Sequence, residues 1–178
     1  MRKLKITELN RLTAEEFKES DKTPIIIVLD HIRSLNNVGS IFRTADAFRM
    51  EGVYLCGITS IPPNAEIHKT ALGAEETVAW KYFERTIDAV NELKMQDYIV
   101  CALEQAEDSV SLDHISLDKN KKYAIVAGHE VKGVQQEVID ACDICIEIPQ
   151  FGTKHSLNVA VAVGIVIWDF FKKLKIES

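Results

Sequence analysis

The run Pro24–Asp30, PIIIVLD, constrains the chain most. Successive side chains of a strand point to opposite faces. The β-branched, wholly apolar stretch from Ile25 to Leu29 therefore has no face suited to water. Such a strand is covered on both sides, which is the condition of a mostly parallel sheet flanked by helices. Further strands are read in VYLCG (53–57), VAWKYF (78–83), DYIVCALE (97–104), KYAIVAG (122–128) and DICIEIP (143–149). Helical segments alternate with them, so the expected fold class is α/β.

Within VGSIFRTADAFRM (38–50), Val38, Ile41, Phe42, Ala45 and Phe48 fall on one helical stripe. Asn36 or Asn37 is the expected cap. Segments 84–95 and 134–141 read as helices, with Gly133 opening the second. Segment 59–79 reads as irregular, with a short helix near His68–Leu72. A final helix is expected to start at Ser156, its N-cap, with Asn158 in the first turn. It is apolar nearly all round, so it must be enclosed by the sheet or by a partner chain. Residues 1–23 read as a short N-terminal helical arm and 24–178 as one domain.

The 178 residues are 47% hydrophobic and 27% charged, an ordinary globular balance. A net charge of −6 gives no sign of a uniformly basic, nucleic-acid-coating surface, though a local basic patch is compatible with it. Cys56 and Cys101 sit in apolar runs and read as buried thiols. Cys142 and Cys145 form a C-x-x-C pair without a second pair to complete a zinc site, so no metal is expected. The N-terminus has basic residues but no apolar core behind them, and Leu157–Trp168 is too short to span a membrane. A cytoplasmic protein is the expectation.

Ligands of open parallel sheets lie beyond the carboxyl ends of the strands. Three polar, glycine-bearing segments follow such ends: 31–40, 128–133 and 149–156. Arg43 is suited to gripping a phosphate or carboxylate, and equally to a surface ion pair. Glu130 lies between Gly128 and Gly133 in a spacing that is neither a dinucleotide fingerprint nor a Walker loop. Asn158 opens a very apolar helix and needs partners if buried. His129 and His155 flank the same region. Trp80 and Trp168 read as packing residues.

Taken together, these segments resemble the three motifs of the SpoU-type (TrmH-like) RNA ribose 2′-O-methyltransferases of the SPOUT class. The motifs are Asn37–Thr44 (NVGSIFRT), Gly128–Gly133 (GHEVKG) and Ile148–Ala162 (IPQFGTKHSLNVAVA). Lys69–Trp80, KTALGAEETVAW, is similar to the segment after the second strand of the tRNA guanosine members. The likeness runs from about residue 24 nearly to the end. It departs where Gln150 and Phe151 replace a methionine-led loop, and at Gly39-Ser40, where members vary.

The resemblance implies a deep trefoil knot near the C-terminus, which general folding rules would not have anticipated. It implies S-adenosylmethionine bent in that knot, near Leu103, Glu104, Gly128, Ile148, Gln150, Ser156 and Leu157. It implies a homodimer whose sites draw on both chains. The implied catalytic residues are Arg43, Asn37, Glu130, Ser156 and Asn158. RNA, with tRNA first and rRNA second, is expected along Arg33, Arg43, Arg49, Lys69 and Lys154, joined by Arg2, Lys3 and Lys5. Two other readings stay open. One is an enzyme of another nucleotide cofactor, disfavoured because no glycine-rich loop follows Asp30. The other is a non-catalytic RNA-binding or assembly protein of the same fold.

Overall fold

A computed structural model describes residues 1–177. Its seven strands are β1 (Thr23–Asp30), β2 (Met50–Cys56), β3 (Trp80–Phe83), β4 (Tyr98–Leu103), β5 (Val110–Ser111), β6 (Lys122–Ala127) and β7 (Ile144–Glu147). They form one sheet in the order β3-β2-β1-β6-β4-β7-β5. Every pairing is parallel. The helices are α1 (Ala14–Glu19), α2 (Leu35–Ala47), α3 (Ala65–Ala71), α4 (Ala74–Thr77), α5 (Thr86–Met95), α6 (Gln136–Ala141) and α7 (Val159–Phe171).

β1 lies between β2 and β6, which accounts for its apolar run. Ile25, Ile27 and Leu29 face a core built with Val38, Ile41 and Phe42 of α2 and Val163, Val166 and Phe170 of α7. Ile26 and Val28 face the opposite core, with Ala89, Val90 and Leu93 of α5 and Val138 of α6. Two-sided burial thus follows from the two-residue strand period. Phe17 of α1 also enters the first core. That helix is held by a capping box in which Thr13 and Glu16 satisfy each other's backbone N–H groups.

Several boundaries differ from the sequence expectation. Helix α2 begins at Leu35 and is capped by the Ser34 hydroxyl, not by Asn36 or Asn37. Helix α7 begins at Val159 with Asn158, not Ser156, as its cap. Gly133 closes a tight turn at φ +67°, and α6 starts three residues later. Segment 59–79 carries both α3 and α4, and the two-residue β5 had no readable pattern. Trp168 packs against Phe48 and Phe171 as a partly exposed ring, and Trp80 is partly exposed as well.

Helix α7 is enclosed on one side only. Val163, Val166, Ile167 and Phe170 are buried, whereas Val161, Ile165 and Trp168 form an exposed stripe. At its far end Trp168 and Phe171 gather round Phe48, with ring centroids 5.7 and 5.2 Å from it. No helix among the described residues is long and apolar enough to cross a membrane.

Because all strands are parallel, the carboxyl ends of β1, β6, β4 and β7 lie on one edge of the sheet. Asp30, fully buried at the end of β1, anchors that edge. It accepts hydrogen bonds from the Thr86 hydroxyl (2.5 Å), the Gln135 backbone N–H (2.9 Å) and the Gln135 amide (2.8 Å). A buried carboxylate needs such donors to replace the water it has lost.

Helices α2 and α3 touch at Gly39. A Cβ there would lie 2.1 Å from the Thr70 hydroxyl and 2.3 Å from the Ile67 carbonyl oxygen. Gly39→Ala is expected to cost about 1–3 kcal/mol through forced separation of the helices. Thermal denaturation should show the melting temperature falling by several degrees.

Candidate active site

Three turns at the carboxyl edge surround a cavity of about 520 Å³. They are Leu103–Gln105 after β4, Gly128–Gly133 after β6 and the loop from Ile148 into the start of α7. The volume suits a small-molecule ligand. Leu103, Glu104, Gly128, Ile148, Gln150, Ser156 and Leu157 all line it, as do Glu130 and Asn158. Its lining holds Glu104, Glu130 and Glu147 and no lysine or arginine. The cavity therefore favours a cationic guest.

The middle turn depends on its two glycines. A Cβ on Gly128 would lie 2.1 Å from the Gly133 carbonyl carbon, and one on Gly133 would lie 2.0 Å from Glu104 Oε2. Their absence lets His129 and Gly133 pair in an antiparallel bridge. The His129 ring nitrogen Nδ1 accepts from the backbone N–H of Val131 (3.0 Å) and of Lys132 (3.3 Å). Sequence reasoning placed His129 beside the site but gave it no task. Its position directly after a strand-ending glycine is the one usable signal.

Glu130 links this turn to α2. Its carboxylate accepts from the backbone N–H groups of Arg33 (3.0 Å) and Ser34 (2.9 Å) and from the Asn37 amide (3.1 Å). Burial opposes its ionisation, but the N–H donors of Ser34 and Arg33 and the Asn37 amide outweigh it. The carboxyl is held below its ordinary value. Asn37 Oδ1 in turn accepts from Asn158 Nδ2 at 3.1 Å. Asn158 Oδ1 takes the first free N–H groups of α7, Ala160 at 2.9 Å and Val161 at 3.3 Å.

Donors and acceptors in this relay all run one way, from the α7 N-terminus through Asn158 and Asn37 to Glu130. The carboxylate is acceptor-only, so it fixes the orientation of both amides. Two further bonds clasp the cavity. Gln105 donates to the His155 carbonyl oxygen (2.9 Å), and Glu104 accepts from Val134 N–H (3.0 Å). Neither side chain has such a task in the sequence reading, where Glu104 is placed only near the cofactor.

The remaining expected residues lie outside the cavity. Asn37 reaches it only through its two partners. Arg43 is exposed, with no hydrogen bond or ion pair among the described residues. It lies six residues beyond Asn37, about 9 Å along the helix and roughly 120° round its axis. Within one chain, Arg43 therefore does not join the cavity. Arg33, Arg49, Lys69 and Lys154 are exposed as well, Lys69 in an ion pair with Glu66. Burial pushes the Cys142 thiol up to about 12, an inert state for a thiol.

Comparison with known proteins is consistent with this geometry. Residues 24–168 match the SpoU rRNA Methylase family. A Staphylococcus aureus protein of the TrmH tRNA/rRNA methyltransferase family is 31% identical over 156 residues, 88% of this chain and 62% of its own. The 23S rRNA (guanosine-2′-O-)-methyltransferase RlmB of Nitrosomonas europaea is 33% identical over 171 residues, 94% of this chain and 64% of its own. The chain thus spans somewhat under two thirds of these relatives. The AdoMet-bound rRNA methyltransferase of Sinorhizobium meliloti superposes with a TM-score of 0.79 at 27% identity, over 88% of this chain and 59% of that one. The fold is that of the knotted SPOUT class, an α/β sheet with helices on both faces.

The Glu130 relay has a pH signature. A depressed folded-state pKa supplies stability that is fully present above the unfolded value of about 4.3 and is lost as pH falls through the lower folded value. Glu130→Gln is expected to destabilise the chain at pH 7 by about 1–3 kcal/mol. The gap from the parent should close below about pH 4. Urea denaturation at both pH values checks this.

Proposed function

Because the chain belongs to the SpoU rRNA Methylase family, we propose that it transfers a methyl group from S-adenosylmethionine to a ribose 2′-OH of structured RNA. The observation that carries this reading is the meeting of the second and third motif turns with the end of β4 round one anionic cavity at the carboxyl edge, to which Asn37 of the first motif is tied through Glu130 and Asn158. S-adenosylmethionine is cationic at its sulfonium and its ammonium, and the three cavity carboxylates suit that charge. Residues 103–104, 128, 148–150 and 156–157 would hold it, largely through backbone groups. When bound, the cofactor supplies an electrophilic methyl group.

The chain's own task is placement and charge. A ribose 2′-OH is a weak nucleophile, and holding it in line with the methyl group removes much of the barrier. Arg43 would grip the phosphate beside the target ribose and steady the developing oxyanion. A guanidinium stays protonated, so the proton leaves to that phosphate or to water rather than to Arg43. Glu130, Asn37 and Asn158 hold the 128–133 turn, the start of α2 and the start of α7 together, and Ser156 shapes the cofactor end.

Two features support a homodimer with shared sites. Arg43 projects away from its own chain's cavity, and α7 presents the apolar stripe Val161, Ile165 and Trp168 to the outside. A second copy covering that stripe brings one chain's Arg43 to the other's cavity. The exposed Arg33, Arg49 and Lys154 then border the RNA path. tRNA is the first substrate to test, on the likeness of Lys69–Trp80 to tRNA-modifying members, with rRNA second.

Arg43→Ala is expected to lower methyl transfer at least about a hundredfold while calorimetry shows cofactor binding nearly unchanged. Turnover close to the parent's overturns the role. Asn158→Ala should also be inactive. Mixing the two variants under exchange should restore about a quarter of parental activity, since half the dimers then carry one intact site. No restoration would rule out shared sites.

A further inference from the structure

A second hollow, of about 500 Å³, lies outside the cofactor cavity, between Pro62–Ala65 and the segment from α4 to Trp80. Pro62, Pro63 and Ala65 form an apolar wall. Trp80 supplies an aromatic face that is more than a third exposed. The polar groups are His68, Glu75 and Glu76.

Glu75 is 7% exposed yet stays ionised. Burial would push its carboxyl up, but the His68 hydrogen bond, with the Gly73 N–H, outweighs that and holds it below its ordinary value. The bonds are to His68 Nδ1 at 2.5 Å and Gly73 N at 3.1 Å. An ionised carboxylate only accepts, so His68 Nδ1 carries the proton and Nε2 remains free. Glu76 is exposed, and its carboxylate has no hydrogen-bond partner among the described residues.

A flat apolar slot bearing a free carboxylate selects a planar ligand with two adjacent N–H donors. Among nucleobases, guanine presents them at N1 and its 2-amino group. Adenine and cytosine place a lone pair beside their amino group, which a carboxylate repels. Uracil has one N–H between two carbonyl oxygens. The carboxylates disfavour phosphate here, so a base fits the slot and a backbone does not.

The hollow is built on α3 and α4, which are tied to the stretch of α2 that carries Arg43. Helix α3 is tied to it where Thr70 donates to the Asn36 carbonyl oxygen (3.0 Å), and α4 where Thr77 donates to Asp46 (2.7 Å). Asn36 and Asp46 bracket Arg43, about two turns before it and one turn after it. An RNA strand whose phosphate met Arg43 would run beside the two helices that form this slot.

We propose that the hollow is a guanine subsite for a nucleotide flanking the one that is methylated, with Trp80 stacking on the base and Glu76 reading its donor edge. This rests on the RNA reading above. His68, Glu75 and Glu76 also have ligand atoms within 4.8 Å of one another, close enough for a cation. The Nδ1–Glu75 bond already engages one ring nitrogen and one carboxylate oxygen of that cluster, which favours the base.

The test uses the full chain, with EDTA present, and short labelled oligouridylates carrying one guanine, inosine, adenine or cytosine. Fluorescence anisotropy should show the guanine oligomer bound about tenfold tighter than the adenine one, with inosine, which lacks the 2-amino group, between them. Glu76→Gln should abolish the guanine preference, and Trp80→Ala should weaken the guanine oligomer about tenfold. Both variants should keep the parental thermal shift with S-adenosylmethionine, which shows that they fold.

Equal affinity of the parent for all four oligomers overturns the subsite, as does a guanine preference that survives in Glu76→Gln. A zinc-dependent thermal shift lost in Glu76→Gln, without any base preference, identifies a cation site instead. Methyl transfer without base preference leaves the enzyme reading standing while this one falls. Absence of both RNA binding and methyl transfer removes both.

Discussion

Everything at the working edge depends on one charged anchor. The Glu130 carboxylate fixes the start of α2 through two backbone N–H groups and orients Asn37, which orients Asn158, which caps α7. Substituting an isosteric amide at Glu130 puts a donor among donors, and the ordering signal is lost along the whole relay. Glu130 therefore serves as a positioning group whose value lies in being acceptor-only. Asp30 plays the same part lower in the edge, joining α5 and the 128–135 turn.

The central sheet was legible because hydrophobic pattern alone specifies it. An uninterrupted run such as Ile25–Leu29 has one physical solution, and β1 occupies it. Two of the motif turns, 128–133 and the one opening at Ile148, were legible as strand-end segments and meet in the cavity lining, whereas the first motif is tied to them only through Asn37. Caps were read less well. Ser34 and Asn158 each have a neighbour of equal capping ability, and only tertiary partners decide between them. Asn158 is selected because its other amide edge finds Asn37, a residue 121 positions away. β5 was invisible because two residues carry no periodicity. Trp80 was misread because an aromatic in a short edge strand looks the same whether it packs inward or faces a hollow.

Arg43 shows a different limit. Its residue type and motif pointed to the site, but its azimuth on α2 turns it from its own cavity. The proposed sharing of chemistry between copies cannot be read from the periodicity of one chain. The half-open apolar helix α7 is the structural counterpart of that displaced arginine. The charge arrangement is consistent with such sharing. Carboxylates line the cavity, and the exposed cations lie elsewhere on the surface.

The relay has a kinetic consequence as well. Its bonds span 93 to 121 positions of sequence, as the β1–β6 pairing beneath it spans 98. Loop-closure entropy makes such long-range links late arrivals in folding. The turn before α7 seats on α2 across the paired ends of β1 and β6, so the relay closes only once that pairing is made. Reversal begins at the same place, so the ligand-binding edge unravels before the core, and a bound ligand protects the molecule where it is slowest to assemble.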